Sequence, residues 1–140
     1  MKPRWRHAWR QRRLLAEAAL ALVRANLTVL LRGRRLATTL GTPDTAPVAV
    51  PSAQQLTLAR DVGWAVELLA VRGPLRTACL GQALAARMLL RRRHVPCVLT
   101  LGLGRHGDGR LRAHAWLRTG DLTVTGGRGR SAFSPVAGFR

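Results

Sequence analysis

Hydrophobic and polar positions in the first quarter of the chain alternate with the period of an α-helix. Around residues 12–32, the polar side chains share one stripe at helical spacing: Arg10, Arg13, Glu17, Arg24 and Thr28. The remaining positions are mostly Leu, Ala and Val, so the apolar face is wide. We predict a helix over 12–32, within an N-terminal segment of residues 1–40, whose apolar face is buried or covered by another hydrophobic surface. Residues 1–13 are expected to form a frayed, solvated start.

Two further helices follow from the same period. Residues 54–71 carry an apolar stripe, Ser52 is placed to cap their start, and Gly73-Pro74 stops them. A third helix is predicted from Thr77 or Ala78 to about Arg93. Its last turn is basic, which suits the negative end of the helix dipole.

The second half of the chain changes to strand-like patterns separated by glycine turns. Strands are predicted over 97–104, 111–118 and 121–125. Residues 41–53 hold three prolines and no helical period, which predicts a surface loop. Helices followed by an antiparallel sheet predict the α+β class. We expect one domain over residues 1–140, with a catalytic core over 54–126 and a loose Gly- and Arg-rich tail over 127–140.

Composition adds a strong charge to this picture. The chain has 140 residues, 47% of them hydrophobic, which is enough for one packed core. Its formal net charge is +18, and Lys2 is the single lysine. Such a surface suits nucleic acid, an acidic partner or an anionic membrane, although an arginine excess can also reflect genome base composition. Trp5 and Trp9 among arginines, and the Arg128-Gly129-Arg130 tail, strengthen the alternative of a basic binding module.

The cysteines and the N-terminal helix bear on the compartment. Cys79 and Cys97 are too few for a disulfide framework, and we expect two reduced thiols in a cytoplasmic protein. No histidine stands at a metal-type spacing from them, so we expect no metal and no cofactor. Polar residues interrupt the apolar run of the first helix, so neither a membrane span nor a signal peptide is predicted. Contact of this helix with a membrane or a partner protein stays open.

Cys79 and His114 are the candidate catalytic residues. Cys79 begins the third helix, where unpaired backbone N–H groups favour a thiolate and can bind an oxyanion. His114 lies on a later strand between two alanines, which leave room around its imidazole. A thiol and an imidazole in this order support attack on a carbonyl and an acyl-enzyme. Taken alone, a cysteine that opens an apolar helix and a histidine on a half-buried strand are more often structural residues.

The run CLGQALAARMLLRRRHVPCVLTLGLGR, followed by LRAHAWLR, resembles the leader peptidase of lasso-peptide biosynthesis, a transglutaminase-like and papain-like thiol enzyme. The resemblance implies that Cys79 is the nucleophile and His114 the general base and acid. It also implies the stand-alone peptidase, whose partners are the precursor peptide with its leader, a separate leader-recognition protein and the macrolactam-forming cyclase. The family places an Asp on the strand after the histidine, but the strand here has none inside it. Asp121, at its start, is the tentative third member; a turn role for Asp121, a Cys–His dyad and orientation by a backbone carbonyl are the alternatives.

Three other functions stay open at this point. The basic binding module predicts strongly salt-dependent binding to nucleic acid or an acidic partner. A catalytically inactive transglutaminase-like protein would also lack the acid. Amide transfer would share the acyl-enzyme and differ only in the acceptor.

Overall fold

The computed structural model describes residues 4–36, 40, 41, 43, 46–74 and 77–140, leaving aside the side chains of residues 4–6 and 34. Within these residues, three α-helices precede a small antiparallel sheet, so the predicted α+β class is confirmed. The helices are α1 (Arg4–Arg32), α2 (Ala53–Arg72) and α3 (Cys79–Arg92). The strands are β1 (Val98–Arg105), β2 (Leu111–Thr119), β3 (Leu122–Thr125) and β4 (Ser134–Phe139). Short 3-10 turns span Gly33–Arg35 and Arg130–Ala132.

The helix starts reflect local chemistry. The Ser52 side chain accepts from the backbone N–H of Gln55, and the Gln55 side chain accepts from the backbone N–H of Ser52. This reciprocal pair satisfies two N–H groups at the start of α2 and confirms Ser52 as its cap. By contrast, α1 begins at Arg4, eight residues before the predicted start, so the expected frayed segment is helical from Arg4. The side chain of Trp5 lies outside the described part of the chain.

The sheet has the order β3-β2-β1-β4. β1 and β2 form an antiparallel hairpin in which Leu101 faces Ala115 and Gly102 faces His114. Ala115 and Leu117 join the main hydrophobic core together with Leu99 and residues of all three helices. Because side chains alternate along a strand, His114 and Trp116 point to the opposite face. The sheet therefore has one face on the helices and an outer face that carries His114.

The prediction of a loose tail over 127–140 is wrong. Residues 134–139 form β4, which pairs with β1, and Phe139 is buried in the core. The buried Arg87 side chain of α3 donates to the backbone oxygen of Arg140, which fastens the end of this strand. The segment contains proline and glycine, which weaken a strand pattern, but β4 is an edge strand and Pro135 lies at a register shift in the pairing. β4 is stabilised by pairing with β1, which is distant in the sequence, and its own residues show little of the pattern that predicts a strand.

α1 has a buried face and an exposed apolar face. Ala18, Leu22 and Ala25 pack in the core, whereas Leu27, Leu30 and other apolar residues are exposed. By length and composition, His7–Arg32 is apolar enough to cross a membrane, contrary to our expectation from its polar interruptions. Core helices of soluble proteins and signal sequences share these properties.

Candidate active site

Cys79 is the first residue of α3, as the sequence predicts. The preceding residue, Ala78, has an extended backbone and provides no side-chain cap. The first-turn N–H groups of α3 therefore receive no acceptor from the side chain at the N-cap, and this end of a helix attracts negative charge. Cys79 is half-buried and packs against the main core. The Cys79 thiol therefore lies at the helix end that stabilises a negative charge such as a thiolate.

A close contact between helices fixes this start of α3. A Cβ at Gly81 would lie 2.8 Å from Oδ1 of Asn26 in α1 and 2.7 Å from Cγ2 of Thr77. The Gln82 side chain also donates to the backbone oxygen of Thr77, at 2.9 Å. Glycine at position 81 lets α1 approach the helix turn that holds Cys79. The nucleophile candidate is thus positioned by backbone packing.

His114 has a defined hydrogen-bond partner. Its Nε2 lies 2.7 Å from the backbone oxygen of Gly126, directly after β3. Because a carbonyl oxygen only accepts, Nε2 must carry the proton of this bond. In the neutral ring, Nδ1 is then the unprotonated nitrogen. The Gly126 carbonyl orients the ring and selects the tautomer that leaves Nδ1 as the base.

Aromatic rings hold the same imidazole on the outer face of the sheet. The Phe133 ring lies 4.9 Å from the His114 ring between centroids, and the Trp116 ring lies 5.8 Å away. Trp116 is buried, although it is not part of the main core. Glycine at position 102 of β1 makes room for it, since a Cβ there would lie 2.6 Å from the indole. Arg130 covers the indole, with its guanidinium carbon 6.0 Å from the ring centroid.

Among the described residues, no hydrogen bond or ion pair links Cys79, His114 and Asp121 to one another. Within the described residues, no hydrogen bond joins Cys79 to His114. Cys79 packs on the helical core, and strand alternation directs His114 to the outer face.

Within the described residues, Asp121 makes no hydrogen bond to His114, so the geometry does not support its tentative role as the third member. Its carboxylate is fully exposed, and its Oδ1 lies 3.8 Å from a guanidinium nitrogen of Arg118. Asp121 sits in the Thr119–Leu122 turn between β2 and β3, so its side chain serves the turn. The backbone carbonyl of Gly126 is the partner of His114 Nε2 instead.

The second cysteine is chemically distinct. Cys97 is buried, and this burial raises the pKa of its thiol. Raising the pKa keeps the thiol protonated, so Cys97 is a poor nucleophile. His94 and His106 lie exposed at turns, as the sequence indicates. In the part of the chain that the structure describes, no group of three His, Cys, Asp or Glu side chains could hold a metal ion.

Comparison with known families identifies the fold. The family model described as the transglutaminase-like superfamily matches residues 19–138, which include Cys79, His114 and all of β4 except its last residue. The chain belongs to the transglutaminase-like superfamily. No curated protein and no solved structure matched the chain.

Two residues of this transglutaminase-like site were missed from the sequence. Gly126 acts through its carbonyl oxygen, and any residue type carries one. The available sequence signal was the pair Gly126-Gly127 after a strand, since glycine permits the positive φ of 74° that the structure shows. Phe133 lies in the segment predicted to be loose, and the only sequence feature that could have identified it is that it is an isolated aromatic residue. Both belong to the stretch between β3 and β4, which folds back over the outer face of the sheet.

Proposed function

We propose that this transglutaminase-like protein is a cysteine peptidase that removes the leader from a ribosomally made precursor peptide during lasso-peptide maturation. Cys79 is the nucleophile and His114 the general base and acid. The observation that carries the proposal is the hydrogen bond from His114 Nε2 to the Gly126 carbonyl. This bond leaves Nδ1 of His114 as the basic nitrogen. His114 lies on β2, which follows the helix that begins with Cys79.

The chemistry divides into two steps. Nδ1 of His114 takes the proton of the Cys79 thiol, and the sulfur attacks the carbonyl carbon of the scissile peptide bond. The resulting imidazolium gives the proton to the leaving amine as the carbon–nitrogen bond breaks, forming an acyl-enzyme. Water then loses a proton to Nδ1, attacks the acyl carbon, and releases the carboxylate and the thiol.

The start of α3 supports the charge that develops. Each tetrahedral intermediate carries an oxyanion, and the backbone N–H of Cys79 and its neighbours at the helix start can donate to it. No hydrogen bond joins Cys79 to His114 in the free chain among the described residues, so the proposal requires Sγ and Nδ1 to come together when the peptide binds; catalytic hydrogen bonds often form fully only in the substrate complex.

The choice of substrate rests on the resemblance and on charge. The quoted motifs resemble leader peptidases, and a net charge of +18 favours an acidic leader or an acidic leader-recognition protein. A cytoplasmic location and transfer of the core peptide to a cyclase belong to the same proposal.

Alkylation of Cys79 tests whether the thiol and imidazole work together. Iodoacetamide is applied to the Cys97→Ala protein between pH 5 and 9, with and without His114→Ala. We expect Cys79 to be alkylated at pH 6 at least ten times faster than a small free thiol, and the advantage to disappear without His114. Slow alkylation that does not depend on His114 would contradict the proposal and favour an inactive member of the superfamily.

Leader removal tests the reaction itself. The chain is incubated with a precursor peptide and its leader-recognition protein, and the masses of the products are measured by mass spectrometry. Cys79→Ala should abolish the released leader while circular dichroism shows an unchanged fold. Cleavage that persists in this variant would exclude Cys79 as the nucleophile.

A further inference from the structure

The outer face of α1 carries a continuous apolar strip that the fold leaves uncovered. The helical period places its members opposite the buried Ala18, Leu22 and Ala25. They are all exposed: Ala16, Leu20, Val23, Leu27, Leu30 and Leu31. Leu30 and Leu31 are 78% and 82% exposed. A strip of this kind marks a binding surface more often than a free one.

Basic residues border the strip, and acids avoid it. Arg12, Arg13 and Arg24 are exposed along α1, and Trp9 is exposed near its basic end. Glu17 is the single acidic residue of α1, and its charge is compensated by ion pairs with Arg13 and Arg93. Exposed arginines beside apolar side chains and a tryptophan are typical of helices that lie in the headgroup region of anionic lipids.

We propose that α1 docks its outer apolar strip, which runs from Ala16 to Leu31, on an anionic lipid surface. The helix lies parallel to that surface, because its other face is part of the core and the Glu17–Arg93 ion pair ties it to the end of α3. Crossing a bilayer would require this core to open. The leucines enter the boundary of the acyl chains while the arginines contact the phosphates.

Charge distinguishes this occupant from a second copy of the chain. Two chains of +18 each repel one another, whereas an anionic surface attracts the same arginines. The inference is independent of the peptidase proposal, since it uses no residue of the candidate active site.

Vesicle binding tests the proposal with the full chain. Sedimentation is measured with phosphatidylcholine vesicles and with vesicles containing one third phosphatidylglycerol. We expect binding to the anionic vesicles, and Leu31→Glu should weaken it about tenfold because it removes apolar contact and adds repulsion. Val71→Glu is the matched control, since Val71 is also 82% exposed but lies on α2; it should change binding less than twofold.

Three outcomes would overturn the proposal. Equal weakening by Leu31→Glu and Val71→Glu would mean that net charge alone attracts the lipid. Absence of binding to anionic vesicles by the folded wild-type chain would exclude a lipid surface. Light scattering that shows a dimer dissociated by Leu31→Glu, without vesicle binding, would assign the strip to a second copy.

Discussion

Cys79 and His114 are held in different ways. Cys79 is placed by the backbone, at the start of a helix whose first turn lies close to α1 through Gly81. His114 is held by its side chain, through one hydrogen bond to Gly126 and the rings of Trp116 and Phe133. In the proposed dyad, the base has a fixed tautomer while the thiol has no hydrogen-bond partner among the described residues.

This difference matters for a thiol enzyme. A base must keep one nitrogen unprotonated and correctly aimed, which a fixed carbonyl partner achieves. A nucleophile must instead reach a substrate carbonyl, so a thiol bound tightly to another group would react less readily. The contrast predicts that changes around His114 act on ring orientation, whereas changes around Cys79 act through the position of α3.

The largest effect is expected from removing the base. His114→Ala should lower kcat/KM for leader cleavage at least about a hundredfold, because no group then takes the thiol proton. Asp121→Asn should change it less than about twofold, since its carboxylate faces solvent and Arg118. A loss in Asp121→Asn comparable to that in His114→Ala would restore the aspartate as the orienting group.

A smaller effect is expected from displacing the carbonyl that orients the ring. Gly126→Ala forces a side chain into a backbone with φ of 74°, and its Cβ would clash with the backbone oxygen of Ala115 and lie 2.9 Å from Cβ of Trp116. We expect a loss of about 2 kcal/mol in the free energy of unfolding, from strain and overpacking. The pH profile of cleavage should also change, because the Nε2 bond no longer selects the tautomer.

Gly129→Ala is the control for Gly126→Ala. Gly129 has a similar φ of 70°, but a Cβ there meets no atom within 4 Å. It should show the backbone strain without the contact with Trp116, and an unchanged pH profile. Identical profiles for both variants would show that the Gly126 carbonyl does not orient His114.

The sequence predicted the elements whose signals are local. Helix periods, Ser52 with Gln55, and the hairpin turns are short-range features, and the structure confirms them. β4 depends on its pairing with β1, and Phe133 on its contact with His114, both distant in sequence, so their own composition suggested a loop. The orienting carbonyl was left among several alternatives because backbone groups have no residue signature. The resemblance suggested Asp121 as a tentative third member, with a turn role as an alternative, and its exposed carboxylate lies beside Arg118 in the turn between β2 and β3.

The smallest effect concerns the far end of the helix that carries Cys79. Arg93, at the end of α3, donates to Glu17 of α1 at 2.5 Å, and Arg13 donates to the same carboxylate at 3.0 Å. The hydrogen bond from Arg93 lowers the pKa of Glu17 below its usual 4.5, against the opposing effect of desolvation and with support from Arg13. Glu17→Gln should therefore reduce the free energy of unfolding by about 1 kcal/mol at pH 7.

The contribution of Glu17 to the free energy of unfolding depends on pH in a direction set by its lowered pKa. A carboxylate whose pKa is lowered by folding stabilises the native state above its unfolded pKa, and the contribution disappears as pH falls through the folded pKa. Urea unfolding of the wild type and Glu17→Gln should differ at pH 7 and converge as the pH falls through and below the lowered pKa of Glu17. Glu67→Gln, at an exposed position of α2, should match the wild type throughout. If both variants behave alike at pH 7, the Arg93–Glu17 pair does not secure α3, and the packing at Gly81 alone positions the helix that begins with Cys79.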